Sequence, residues 1–240
     1  MFNKNNIYGG YISGHLSNIR ESFDKNSIER SFVFLNAYFR RFLPEDKNIR
    51  ILELGCGCGD FVLWLNSLGY NRVYGIDISK EQIDLARKLG AKTVEIKDIL
   101  DYLQETGEPC DLIVMRDVIE HFRKDEIIRI LEHTHNLLKD NGKLIIQTVN
   151  AESVFGGKYR YSDFTHEISF SWRSMMQILK YSGFKDIDIY ETGPVTHDII
   201  SIIRFLLWNC IKLMLNFYLL VETGRPGKIL TQNMIVKAVK

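Results

Sequence analysis

The stretch Glu53-Leu54-Gly55-Cys56-Gly57-Cys58-Gly59 lies between an apolar run at residues 49–54 and a segment of helical period at residues 61–68. Glycines at alternate positions allow a tight turn and let backbone N–H groups approach a ligand closely at a helix N-terminus. Strand, glycine turn and helix in that order make the opening unit of a helix-covered, parallel sheet. The spacing is G-x-G-x-G, whereas dinucleotide sites favour G-x-G-x-x-G, so the loop leans away from a nicotinamide cofactor.

The alternation continues along the chain. Residues 72–78 read as a second strand, and Ser79 with Gln82 as a capping box for a helix ending before Gly90. Residues 93–96 form a third short strand, 111–115 a buried strand, 125–138 a helix and 143–149 the next strand. A helix over 172–181 closed by Gly183 and strands at 186–191 and 234–239 complete the set. The expected fold is α/β, a Rossmann-like, mostly parallel sheet with helices on both faces and an antiparallel last strand. Residues 1–48 read as an N-terminal helical extension, in which Ile28, Phe32, Leu35, Phe39 and Phe42 mark one helix face. Residues 49–150 are the core, and residues 151–240 carry an acceptor-site loop and the final strands.

Lys plus Arg number 31 against 30 Asp plus Glu in 240 residues, a net charge of +1. That balance gathers no polyanion, and nucleic acid is disfavoured as a partner. Residues 1–14 have no apolar core of a secretory signal, which points to the cytoplasm. The cysteines at 56, 58, 110 and 210 lack C-x-x-C spacing, and His133 and His135 fall on different helix faces, so no metal site is expected.

Three segments together resemble class I S-adenosylmethionine-dependent methyltransferases: residues 51–60, residues 74–77 (Tyr-Gly-Ile-Asp) and residues 111–121 (Asp-Leu-Ile-Val-Met-Arg-Asp-Val-Ile-Glu-His). The resemblance implies S-adenosylmethionine as cofactor, with Gly55 and Gly57 contacting its methionine moiety and Glu53 ordering the loop. Asp77, ending the second strand, would accept from both ribose hydroxyls, a position that suits this role independently. Asp98 and Ile99 would border the adenine, although Asp98 reads equally well as a cap or loop residue. Arg116 and Asp117 would lie near the sulfonium.

After the fifth strand, residues 159–167 contain Tyr159, Tyr161, Asp163 and His166 at the sheet end where α/β ligands bind. Asp163 and His166 read as an orienter and general base, with His121 as the rival base or a structural residue. The string from 155 to 183 is similar to methyltransferases of bacterial surface-glycan and quinone pathways, which implies an oxygen acceptor. The expected acceptor is a sugar hydroxyl of a nucleotide- or lipid-linked glycan. A quinone or other small phenol is the alternative, beside a non-catalytic cofactor-binding protein and an NAD-dependent dehydrogenase.

Residues 199–221 form a long apolar stretch in which Ser201, Arg204, Asn209, Lys212 and Asn216 fall within ~140° of a helical wheel. The stripe argues against a single span and for an interfacial helix, a homodimer surface or a core helix. The first of these would place the enzyme peripherally at the inner membrane surface.

Overall fold

The computed structural model describes residues 24–105 and 107–240. The reading of residues 1–14, and the extension before residue 24, lie outside them. Asp24 caps helix α1 (Lys25–Phe39), accepting from the Ser27 N–H. Next come β1 (Arg50–Leu54), α2 (Asp60–Ser67), β2 (Arg72–Asp77), α3 (Lys80–Lys88), β3 (Val94–Ile96) and α4 (Ile99–Gln104). They are followed by β4 (Cys110–Arg116), α5 (Lys124–Leu137), β5 (Leu138–Val149), α6 (Gly156–Arg160), α7 (Trp172–Tyr181), β6 (Lys185–Glu191), α8 (Ile199–Thr223) and β7 (Asn233–Val239).

The seven strands are ordered β3-β2-β1-β4-β5-β7-β6, and β7 runs antiparallel to both of its neighbours. Strand order reverses between β1 and β4, so a crevice opens at their carboxyl ends. Side chains alternate across the sheet with the strand period of two. Leu52, Leu54, Ile113, Met115, Leu144 and Ile146 join one core with α5 and α7. Ile51, Leu112, Val114 and Ile145 join the other with α1, α2 and α3.

Two elements differ from the expected ones. Asp98 opens α4, a helix too short to announce itself by periodicity, by accepting from the Leu100 and Asp101 N–H groups. Strand β5 begins at Leu138, five positions before the expected 143, because Cys110 pairs with Leu138 ahead of a register shift. Within the segment read as irregular, α6 supplies one short helix.

Candidate active site

The glycine loop folds as its composition demands: Gly55, Gly57 and Gly59 all have positive φ, at 76°, 52° and 76°. A Cβ on Gly55 would stand 2.3 Å from Val118 Cγ2, so the loop passes against the turn after β4 where only glycine fits. Both expected glycine contacts have their N–H groups engaged within the protein. Gly55 donates to the Ile76 carbonyl at 2.8 Å, and Gly57 donates to Asp77 Oδ2 at 2.9 Å.

Asp77 is thereby the hub of the loop, its other oxygen accepting from the Ser79 N–H at 2.8 Å. Burial pushes its carboxyl above the ordinary range, against the pull of the backbone N–H groups of Ser79, Gly57 and Ile78. Beyond these donors the carboxylate keeps lone-pair capacity that a ribose hydroxyl can use. Ser79 caps α3 as expected, accepting from the Gln82 N–H.

Glu53 is fully buried, and its Oε1 accepts from Arg116 Nε at 2.8 Å. Arg116 also reaches Asp60 Oδ1 at 2.6 Å through Nη2, with its guanidinium 4.9 Å from the Phe61 ring centroid. These donors lock β1, β4 and the first turn of α2 together at the carboxyl end of β4. Asp60 was not singled out in the sequence, although an acid in the first turn of a helix was there to be read. Burial pushes Glu53 up to about 8 in spite of Arg116. Among the described residues its Oε2 is buried without a partner, an orphaned acceptor of the kind that a cationic donor group would satisfy.

Asp98 and Ile99, expected to border the adenine, open α4 directly after β3. The Asp98 Oδ1 is committed to capping, and Ile99 is buried in the core beside Leu103. Asp117 sits at the carboxyl end of β4 with φ 53°, a left-handed conformation that a non-glycine residue adopts only when its surroundings impose it. Its Oδ2 accepts from Gln147 Nε2 at 2.6 Å, and Oδ1 lies 3.5 Å from Asn233 Nδ2. Gln147 and Asn233 in turn line a cavity of about 570 Å³ walled by Phe34, Tyr38, Phe155, Tyr159, Trp208 and Leu230.

The two rival histidines are neighbours, with ring centroids 4.7 Å apart in an edge-to-face arrangement. The Glu120 carbonyl makes this possible by accepting from the N–H groups of Glu167 and Ile168 at 2.8 and 3.2 Å, which staples the acceptor loop to the β4 turn. Asp163 Oδ1 accepts from both the N–H and the hydroxyl of Thr165, at 2.8 and 2.6 Å, and Thr165 Oγ1 lies 2.8 Å from His121 Nδ1. A threonine hydroxyl has one proton, so with that proton on Asp163 it must accept from His121 Nδ1–H. His166 Nδ1 faces the Arg160 carbonyl at 3.1 Å, and a carbonyl only accepts. Both neutral rings therefore carry their lone pair on Nε2. His166 is close enough for its charge to act on Asp117.

Ligand-capable atoms of His121, Asp163 and His166 lie within 4.8 Å of one another, a grouping that the cysteine and His133/His135 spacings gave no hint of. Tyr161, expected to contact the acceptor, is 79% exposed, whereas Tyr159 lines the cavity. Cys56, Cys58 and Cys110 are buried free thiols, and Cys210 is exposed on α8.

A methyltransferase domain family model matches residues 28–189. The chain belongs to this family. It is 28% identical over 179 residues to an uncharacterised protein of Methanocaldococcus jannaschii, covering 72% of this chain and 82% of that one. It is 34% identical over 110 residues to a ubiquinone biosynthesis O-methyltransferase of Pelagibacter ubique, 43% of each chain. An S-adenosylmethionine-dependent methyltransferase from Archaeoglobus fulgidus superposes with a TM-score of 0.64 at 23% identity, covering 88% of this chain and 95% of that chain. The methyltransferase thus has the fold expected of it, and S-adenosylmethionine is the cofactor that the Asp77 hub and the orphaned Glu53 oxygen fit.

Proposed function

We propose that this methyltransferase methylates a hydroxyl on an acceptor with an apolar body, with His166 as general base. The observation that carries the reading is the His121–His166 pair, each ring holding its lone pair on Nε2, with His166 near enough to act on Asp117, whose partners Gln147 and Asn233 line an aromatic-walled cavity. Bound S-adenosylmethionine supplies an activated methyl group, so the chain's task is alignment of the acceptor and removal of its proton. His166 Nε2 takes that proton as the oxygen–carbon bond forms and the sulfur–carbon bond breaks. Asp117 favours the resulting imidazolium, and Asp163 acts through Thr165 to hold His121 against the base.

An oxygen acceptor is in keeping with the O-methyltransferase named among the relatives. The preferred acceptor is a sugar hydroxyl of a lipid-linked glycan. Among the described residues Arg204 is the single Arg or Lys in the cavity lining, which suits a nucleotide diphosphate poorly. A quinol or phenol carrying an apolar chain is the second reading, favoured by the aromatic walls. Mass analysis of reactions with both acceptor types tests the proposal. Methylation of amines and of no hydroxyl would overturn it.

A further inference from the structure

Helix α8 is an amphipathic helix mounted with its polar side inward. Ser201, its one buried residue, accepts from the His197 and Asp198 N–H groups through Oγ. Lys212 pairs with Glu191 on β6, and Asn216 Oδ1 accepts from the Gly227 N–H at 3.0 Å. Lys212 and Asn216 thus tie the stripe to the body, while Asn209 Nδ2 donates to the Phe205 carbonyl within the helix. At 100° per residue the opposite face spans about 160° and contains no charged side chain. Along its centre run Ile199, Ile203, Leu206, Leu213, Phe217 and Val221, which are 51–78% exposed.

A face so apolar and so uncovered marks a contact surface. The helix is long and apolar enough to cross a bilayer, yet crossing would strip the inward stripe from its partners. A second copy packed helix to helix would cover a stripe near 100° wide and leave the flanks of the arc in water. A bilayer accepts the whole arc, and among the described residues Arg225 and Lys228, just beyond the helix end, have no ion-pair partner. Around the same cylinder Leu207, Ile211 and Leu215 lead from the outer face to the cavity, which α8 also lines with Arg204 and Trp208.

We propose that the outer face of α8 seats the protein on an anionic lipid bilayer, with the cavity opening along the edge of the seated helix. The seating stands on the helix alone, while the use of the cavity as an acceptor entrance rests on the proposed hydroxyl methylation. Flotation of the full chain with vesicles of phosphatidylglycerol and phosphatidylcholine tests it, beside calorimetric titration with S-adenosylmethionine. Wild type is expected to float, and Leu206→Glu with Phe217→Glu is expected to lose at least about tenfold in vesicle affinity with donor affinity unchanged. If that pair fails to fold, Leu213→Asn alone carries the same comparison. A protein that ignores vesicles overturns the proposal, whether it is a monomer or a dimer that the same substitutions dissociate. Flotation without methylation of any hydroxyl acceptor leaves the seating supported and refutes the reaction instead.

Discussion

Asp77 accepts from Gly57 and Ser79 on separate oxygens at the carboxyl end of β2. Asp77→Ala should weaken S-adenosylmethionine binding by ~1.5–3 kcal/mol, the range for hydrogen bonds to a charged group, and calorimetric titration measures it. Wild-type affinity in that variant would remove Asp77 from the donor site. Gly57→Val is expected to weaken binding too, through the strain of φ 52° and displacement of Gln82, whose Oε1 stands 2.9 Å from the added Cβ. His166→Ala should lower kcat by ~10²–10⁴ while leaving donor affinity unchanged, since a base acts on the acceptor. Thr165→Val interrupts the chain from Asp163 to His121 and should cost less, as an effect on positioning. If His121→Ala reproduces the large loss and His166→Ala does not, the base is His121. The sequence made these two histidines rivals because 45 positions separate them, and only the fold makes them neighbours.

Between elements, the joint that brings them together is the β4 turn, where Glu120 is wholly buried and its Oε2 accepts from Thr148 Oγ1 at 3.0 Å. Among the described residues the other oxygen has no partner, and burial pushes the group up to about 8 from an ordinary 4.5. In the unfolded chain the same carboxyl ionises above 4.5, so the folded state holds the extra proton. Its stabilising contribution is full below pH 4.5 and is lost as pH rises towards 8, at ~1.4 kcal/mol per pH unit within that window. Glu120→Gln should therefore gain on wild type in urea unfolding as pH goes from 5 to 8. A constant difference across that range would mean that Glu120 is ionised in the fold. The strands, the glycine loop and the Ser79 cap were legible because each follows a local rule of period or capping. The staple from the Glu120 carbonyl was not, because a backbone acceptor leaves no mark on the sequence. Helix α4 was missed for a similar reason: six residues carry too little period, and only its Asp98 cap was visible.

At the scale of the whole molecule, hydrophobic periodicity revealed the two faces of α8 but not which one meets the body, since burial is a property of the assembled fold. The polar stripe faces inward, so the same helix presents apolar surface outside and an apolar cavity wall inside. That arrangement predicts how activity should depend on the acceptor's size. Each methylene buried in an apolar site contributes ~0.8 kcal/mol, close to fourfold in affinity. A series of hydroxyl acceptors with the same head and progressively longer alkyl chains should show KM falling by about that factor per carbon. The gain should end once the chain outgrows the cavity of about 570 Å³. Because the chain is held equally in ground and transition states, kcat should stay level across the series. Phe155→Ala, which trims one wall of the cavity, should flatten the dependence of KM on length. A series in which KM is indifferent to chain length in the wild type would show that the acceptor enters elsewhere, and would detach the cavity beside α8 from the reaction.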